Sequence, residues 1–177
     1  MGVSKKVHFI GAGGVGMAAL AFLSKAAGEE VSGCDAYLSP RTKWLESIGV
    51  KISLGHDSNH LDGIDEIILT PAVSAADPEY IKARELESAG RAKVFYRGEK
   101  LARIVSQRES IAVSGSHGKT TTSTFIARLL AALGEHVVWA IGGETGAFPV
   151  AGSANGTPEG GVLVVEADES DGTLALY

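Results

Sequence analysis

The amino-acid sequence predicts an α/β protein of two consecutive units, each with a parallel β-sheet. Over residues 7–95, short β-branched or aromatic runs alternate with segments of helical apolar spacing, which is typical of a parallel sheet with right-handed crossovers. A strand, glycine turn and helix pattern then starts again at residue 111. The polar residues 107–110 separate the two runs, so we place the units at residues 1–106 and 107–177.

The sequence of the first unit predicts alternating strands and helices. Glycines at positions 28, 49 and 90 follow the apolar helical spacing and act as helix stop signals. The predicted strands are residues 7–10, 30–33, 50–54, 66–70 and 93–95, and the predicted helices are residues 17–27, 41–48, 78–89 and 98–106.

The second unit repeats the same beginning. A strand at residues 111–113 leads through a glycine turn into a helix that Gly134 closes. Further strands are predicted at residues 137–141 and 162–165, with a glycine-rich loop between them at residues 142–161. One apolar face of the helix is predicted to contain Phe125, Ile126, Leu129, Leu130 and Leu133.

Composition excludes several classes of protein. Sixteen Lys and Arg against 21 Asp and Glu give the 177-residue chain a net charge of −5, so it has no broad basic surface for a nucleic acid. The apolar stretch at residues 7–23 is too short and too rich in glycine to span a membrane. Cys34 is the one cysteine, with no Cys/His cluster near it in the sequence, so we expect no disulfide, no zinc site and a cytoplasmic location.

The first glycine turn matches G-x-G-x-x-G between a strand and a helix. Glycines allow a sharp turn there and let a diphosphate approach the free amides at the helix N-terminus. Asp35, at the end of the next strand, stands where a ribose hydroxyl is held in such sites. The residues alone leave open NAD(P) or FAD, another nucleotide, or a turn with no ligand. The turn consists of Gly11, Ala12, Gly13, Gly14, Val15 and Gly16.

The second glycine turn indicates a nucleoside triphosphate. Lys119 is placed to reach the β- and γ-phosphates, and the Thr120 hydroxyl to bind Mg²⁺. The match to G-x-x-x-x-G-K-[ST] is incomplete, because Val113 stands where the first glycine would be. His117 is either a solvated loop residue or a contact to phosphate or substrate. We assign ATP binding to Gly115, Ser116, His117, Gly118, Lys119, Thr120 and Thr121.

An acidic segment follows the last apolar strand. Glu166 begins it, and Asp168, Glu169 and Asp171 continue it. A buried strand that delivers carboxylates at its carboxyl end places them where open α/β sheets bind ligands. We therefore predict Thr120 and Glu166 as metal ligands.

Together these segments resemble the Mur ligase family of ATP-dependent amide-forming enzymes in peptidoglycan precursor synthesis. The resemblance is strongest to the branch that joins L-alanine to UDP-N-acetylmuramate. Residues 8–17, residues 31–35, the GSHGKTTT segment and residues 166–171 carry it, in the family's order. Ser116 stands where the family usually has Thr, and Cys34 where this branch often has Ser.

The resemblance implies a Rossmann-like domain that holds UDP instead of a dinucleotide, followed by the start of a P-loop ATP-binding domain. Gly11, Ala12, Gly13, Gly14, Val15 and Gly16 would meet the diphosphate, and Asp35, His56 and Ser74 would surround the uridine. ATP and Mg²⁺ would activate the muramic carboxylate as an acyl phosphate, which L-alanine attacks. The resemblance implies Lys119, His117 and Glu166 as the catalytic residues of this reaction.

Two other functions remain in view at this point. One is a murein tripeptide-recycling ligase, which shares the His-containing turn, and the other is an NAD(P)-binding Rossmann protein. Because the family carries a further domain beyond the point matching Tyr177, we expect this chain alone to be inactive as a ligase. It would then bind the UDP-sugar and ATP without turnover.

Overall fold

The computed structural model describes residues 4–143 and 149–167, and the chain divides into two compact units. These are Met1–Arg97 and Gly98–Tyr177. Helix α4 (Arg97–Val105) begins at this division. The sequence-based boundary at residues 106 and 107 therefore differs from the compact-unit boundary by about the length of this helix.

The first unit is a five-stranded, wholly parallel sheet. Its strand order is β3-β2-β1-β4-β5, so the chain winds outward from β1 in both directions. This confirms the predicted fold class. The elements are β1 (Lys6–Ile10), α1 (Val15–Ala26), β2 (Glu30–Asp35), α2 (Pro40–Ser47), β3 (Lys51–Leu54), a 3₁₀ turn (Ser58–Leu61), β4 (Glu66–Leu69), α3 (Pro78–Ser88) and β5 (Lys93–Tyr96).

One face of this sheet packs against α3. Ile10, at the end of β1, is fully buried in a cluster with Leu86 of α3 and Leu61 of the 3₁₀ turn. Because side chains alternate along a strand, His8 shares the face of Ile10, whereas Val7 and Phe9 point to the other face. The α3 face therefore carries one buried polar side chain, His8, from the central strand.

The second unit holds a four-stranded sheet in the order β6-β9-β7-β8. Strands β6, β9 and β7 are parallel, and β8 pairs antiparallel with β7. Its elements are β6 (Ser110–Val113), α5 (Lys119–Ala132), β7 (Val137–Ala140), β8 (Ala151–Ala154) and β9 (Val162–Glu166).

Strand β8 corrects the sequence-based interpretation of residues 142–161 as a loop without a strand. The sequence Ala-Gly-Ser-Ala has little β-propensity and no large side chain, so it gives no strand signal. Its small residues are needed because the Trp139 ring of β7 lies against it. A Cβ at Gly152 would lie 2.6 Å from Cζ2 of Trp139.

The apolar face predicted for α5 is divided in the structure. Ile126 and Leu130 pack against the second unit's core with Ala127, as expected. Phe125, Leu129 and Leu133 are instead 66%, 47% and 68% exposed. The described helices include none that is both long enough and apolar enough to cross a bilayer.

We predict that Ser39→Ala lowers the free energy of unfolding by about 1 kcal/mol. The Ser39 hydroxyl accepts the amide of Thr42 at 3.2 Å, and the Thr42 hydroxyl accepts the amide of Ser39 at 2.8 Å, so the pair caps α2. Urea denaturation followed by circular dichroism measures the change. Ser39→Asp keeps a cap acceptor and should remain near the parent chain, and equal loss in both variants would contradict the capping role.

Candidate nucleotide-binding sites

The first glycine turn is fastened to the end of β2 by backbone hydrogen bonds. The amides of Gly11 and Ala12 donate to the carbonyl of Cys34 at 3.0 and 2.8 Å. Gly11 has a φ of +81°, a left-handed conformation that favours glycine. An added Cβ there would also lie 2.9 Å from Cγ2 of Thr70. The turn is therefore held in one conformation between the ends of β2 and β4.

Asp35 holds the middle of this turn. Its Oδ2 accepts the amide of Gly13 at 2.8 Å, and its Oδ1 accepts the amide of Tyr37 at 3.1 Å. A Cβ at Gly13 would lie 2.8 Å from Asp35 Oδ2, so the contact requires glycine. The carboxylate predicted to face the uridine thus also has a structural role in shaping the turn.

Two arginines that the sequence analysis did not select lie beside the turn. Arg41 Nε donates to the carbonyl of Gly13 at 2.7 Å. The guanidinium of Arg97 lies so close to Gly16 that an added Cβ would be 2.7 Å from its Nη1. Only the third glycine of the motif leaves room for that cation. Neither arginine has a motif signal, because they follow the turn by 25 and 81 residues and reach it only through the fold.

The turn ends in a helix N-terminus with no side-chain cap. Gly14 is the N-cap of α1, and no acidic side chain occupies the first turn of the helix. The first helical hydrogen bond of α1 runs from the amide of Ala18 to the carbonyl of Gly14, at 2.8 Å. Uncapped amides at the positive end of a helix dipole are suited to an anion. The flanking arginines add to the same positive potential.

Ser74 and His56, the other two residues predicted near the uridine, differ in their surroundings. Ser74 is exposed, and its hydroxyl accepts the amide of Ala76 at 3.2 Å. His56 follows β3 and directs Nδ1 to Glu79 Oε2 at 2.8 Å and to Asp77 Oδ2 at 3.3 Å. The His56 ring therefore contacts acidic side chains at the N-terminus of α3.

The second glycine turn joins β6 to α5. Gly118 is the N-cap of α5 with a φ of +78°, and it has no side-chain cap. Gly115 also has a positive φ, +138°. The Lys119 ammonium donates to the carbonyl of Gly115 at 2.7 Å and so lies across the loop. Ser116 and His117 are exposed at the tip of the turn.

Thr120 and Glu166 lie beside two consecutive glycines that follow β7. A Cβ at Gly143 would be 3.3 Å from the Thr120 hydroxyl, and a Cβ at Gly142 would be 2.6 Å from Glu166 Oε2. Strand β9 pairs with β6 so that Glu166 is opposite Val113, the last residue before the turn. The two predicted metal ligands therefore stand at the same edge of the sheet.

Glu166 has a buried oxygen with no partner. Among the described residues, none hydrogen-bonds to its Oε1. A carboxylate oxygen without a partner is costly inside a protein unless a cation or proton satisfies it. The donor set of Thr hydroxyl and carboxylate suits Mg²⁺, which prefers oxygen ligands. The remaining predicted acidic residues, Asp168, Glu169 and Asp171, lie outside the described residues.

Comparison with known proteins decides the family. The model for "Mur ligase family, catalytic domain" matches residues 6–109, more than half of the chain. The chain belongs to the Mur ligase family. This confirms the resemblance inferred from the motifs.

Curated relatives of this chain within the family are named as UDP-N-acetylmuramate--L-alanine ligases. A curated UDP-N-acetylmuramate--L-alanine ligase from Kineococcus radiotolerans is 41% identical over 97% of this chain, and a second from Caulobacter vibrioides is 41% identical over 95%. The chain spans about a third of their length, 36% and 34%.

Solved structures of Mur ligases share the fold. The UDP-N-acetylmuramate-alanine ligase MurC from Thermotoga maritima has a TM-score of 0.79 and 31% identity, and the match covers 93% of this chain and 37% of that one. The UDP-N-acetylmuramate:L-alanyl-gamma-D-glutamyl-meso-diaminopimelate ligase from Neisseria meningitides also has a TM-score of 0.79, with 30% identity, 96% coverage of this chain and 54% of that one.

We predict that Glu166→Gln stabilises the metal-free chain by about 1 kcal/mol, because it removes the charge of a carboxylate whose buried Oε1 has no partner among the described residues. Thermal unfolding in EDTA measures the effect as a higher midpoint. Glu135→Gln is the matched control, since Glu135 is exposed in the same unit and its charge is solvated. A midpoint for Glu166→Gln at or below that of the control would contradict the interpretation.

Proposed function

We propose that this chain carries the UDP-N-acetylmuramate-binding turn and the ATP-binding turn of a ligase that joins L-alanine to UDP-N-acetylmuramate. The observation that carries the proposal is the second turn, where Lys119 crosses a glycine loop that follows β6. Glu166 lies opposite the last residue of that strand, and its buried Oε1 has no hydrogen bond among the described residues. Membership of the Mur ligase family and the printed names of the curated relatives support the choice of substrates.

In the first unit, the uncapped N-terminus of α1 would receive the UDP diphosphate. Arg41 contacts the turn at Gly13, and Arg97 lies against Gly16 in the first turn of α1, so both supply positive charge there. Arginine suits this role because its planar fork matches two phosphate oxygens at once. Asp35 keeps Gly13 in place and reaches the region where the ribose would lie.

In the second unit, the Gly115–Thr121 turn would hold ATP. The muramic carboxylate attacks the γ-phosphorus, which forms an acyl phosphate and releases ADP. The amino group of L-alanine then attacks the acyl carbon, so that the amide forms and inorganic phosphate leaves. Lys119 neutralises charge on the transferring phosphoryl group. His117, exposed at the tip of the turn, would contact phosphate or substrate.

Thr120 and Glu166 would hold Mg²⁺ at the edge of the second sheet. The ion supplies charge neutralisation on the phosphate oxygens. Gly142 and Gly143 leave the space above both side chains free of Cβ atoms. Catalysis on this arrangement depends on positioning and electrostatics, and no side chain serves as a covalent nucleophile.

A tripeptide-recycling ligase is the second candidate. The Neisseria structure is named as a ligase of the tripeptide L-alanyl-gamma-D-glutamyl-meso-diaminopimelate, and it has the same TM-score as the alanine ligase structure. The curated sequence relatives with 41% identity are alanine ligases, and this favours L-alanine. An NAD(P)-binding function is less supported, since it gives Lys119 and Glu166 no role.

We predict that Lys119→Met weakens ATP binding by about 10–100-fold, which corresponds to loss of a charge-assisted hydrogen bond. Isothermal titration calorimetry with ATP and Mg²⁺ measures the change. Arg128→Ala removes an exposed cation on the same helix and should bind ATP as the parent chain does. Equal effects of the two substitutions would mean that general charge, and not the turn, binds ATP.

We predict that Arg97→Ala weakens UDP-N-acetylmuramate binding by about 10-fold or more, whereas Arg91→Ala, at an exposed position, leaves it unchanged. The same titration with NADH should give no saturable heat. Saturable NADH binding together with no UDP-N-acetylmuramate binding would overturn the assignment of the first turn and would restore the dinucleotide interpretation.

A further inference from the structure

Four side chains that are far apart in the sequence converge on the α3 face of the first sheet. One ligand atom from each of His8, Cys34, His60 and Glu79 lies within 4.8 Å of every other. Glu79 is at the centre, with Cys34 Sγ 2.7 Å from Oε2 and His60 Nδ1 2.6 Å from Oε1. The sequence analysis expected no zinc site because it searched near Cys34 along the chain, whereas the fold brings three further side chains with possible ligand atoms to Cys34.

The His8 ring is already oriented toward this cluster. Its Nδ1 lies 2.8 Å from the Ser32 hydroxyl, which fixes the ring in β1. Its Nε2 is buried, has no hydrogen bond among the described residues, and is 3.5 Å from Glu79 Oε1. A histidine that binds a metal through one nitrogen commonly has the other held in this way by a neighbouring polar group. This nitrogen therefore faces the cluster beside Glu79, with no hydrogen bond among the described residues that would compete with a metal.

Burial makes the charge balance of the cluster important. The side chains of Cys34 and Glu79 are fully buried, and that of His8 is 2% exposed. Burial together with the adjacent Glu79 carboxylate raises the pKa of the Cys34 thiol. Burial alone would raise the pKa of Glu79, but its His8, Cys34 and His60 neighbours lower it to about 2. A divalent cation with one thiolate, one carboxylate and two neutral imidazoles has zero net charge, which suits a buried site.

We propose that His8, Cys34, His60 and Glu79 form a zinc site in the first unit, separate from both nucleotide-binding turns. Sulfur and imidazole nitrogen favour Zn²⁺ over Mg²⁺ or Ca²⁺, which prefer oxygen. Four protein ligands close a tetrahedral shell, and such a shell is typical of a structural site.

The present distances are near those that zinc requires. Bonds of about 2.0–2.3 Å in a tetrahedron place ligand atoms about 3.3–3.8 Å apart. The contacts of Glu79 with His60 and with Cys34, at 2.6 and 2.7 Å, must each lengthen by roughly 1 Å to meet this range. The side chain of His60 is 22% exposed and therefore provides both the freedom to move and a path for the ion. His56 lies against Glu79 and Asp77 at the outer side and completes the surroundings.

Zinc would link four elements of the first unit. The four ligands come from β1, β2, the 3₁₀ turn and the first residues of α3. The proposal does not rest on the ligase function, because none of the four ligands belongs to a glycine turn.

The direct test uses the chain with any affinity tag removed and with metals stripped by EDTA. We expect about one zinc per chain after equilibration with ZnCl₂ and desalting, measured by inductively coupled plasma mass spectrometry. Co²⁺ in place of zinc should give a thiolate-to-metal charge-transfer band and the intense visible bands of a tetrahedral ion. These readouts on the parent chain do not depend on whether any variant folds.

Variants then identify the ligands. Cys34→Ser and Glu79→Gln should each lower zinc affinity, and Cys34→Ser should also abolish the charge-transfer band. Ser32→Ala, which releases only the outer nitrogen of His8, should lower affinity by about 10–100-fold, less than loss of a ligand. His136→Asn is the matched control, since His136 belongs to the second unit and should not affect binding. Circular dichroism confirms that each variant is folded.

Three results would overturn the proposal. They are loss of zinc on desalting of the parent chain, a cobalt spectrum without the thiolate band, and zinc affinity that is unchanged in folded Cys34→Ser and Glu79→Gln. Absence of zinc with normal binding of UDP-N-acetylmuramate would overturn the metal site alone. Normal zinc binding with no nucleotide binding would instead overturn the proposed function alone.

Discussion

The carbonyl of Cys34 accepts two amides of the first glycine turn, and the arrangement of the first unit depends on this contact. A parallel sheet ends its strands at one edge, and the chain must leave that edge in turns that satisfy their own backbone groups. Cys34 and Asp35 form that end of β2. The Cys34 carbonyl and the Asp35 carboxylate fix three consecutive amides of the turn, those of Gly11, Ala12 and Gly13.

The same two residues serve opposite faces of the sheet. Because side chains alternate along β2, the Cys34 thiol is directed to the α3 face and the Asp35 carboxylate to the glycine turn. The end of β2 thus supports two sites. The Cys34 carbonyl and the Asp35 carboxylate hold the glycine turn, and the Cys34 thiol belongs to the buried polar cluster. The second unit has no such arrangement in its described part. There the glycines after β7 leave space beside Thr120 and Glu166, and a buried oxygen remains unsatisfied.

Much of this structure was predictable from local pattern. Both glycine turns, the strands that precede them and the helices that follow were visible, because glycine and apolar periodicity act over a few residues. Strand β8 was not visible, since its pairing depends on close approach to the Trp139 ring and not on its own propensity. Arg97 and the partners of Cys34 were missed for a related reason. Nothing local marks them, and only the strand order β3-β2-β1-β4-β5 brings them to their sites.

The shared position of Cys34 gives the zinc proposal a consequence for the nucleotide turn. In the metal-free chain, Cys34 is held by β-sheet pairing and by the hydrogen bond from its thiol to Glu79. A bond from zinc to sulfur would hold that residue more firmly, and the carbonyl that receives the turn amides would lose freedom with it. Preorganised amides bind an anion at lower entropic cost than amides that must be ordered on binding. Zinc at the α3 face would therefore strengthen diphosphate binding at the glycine turn, with the backbone of a single residue as the physical link.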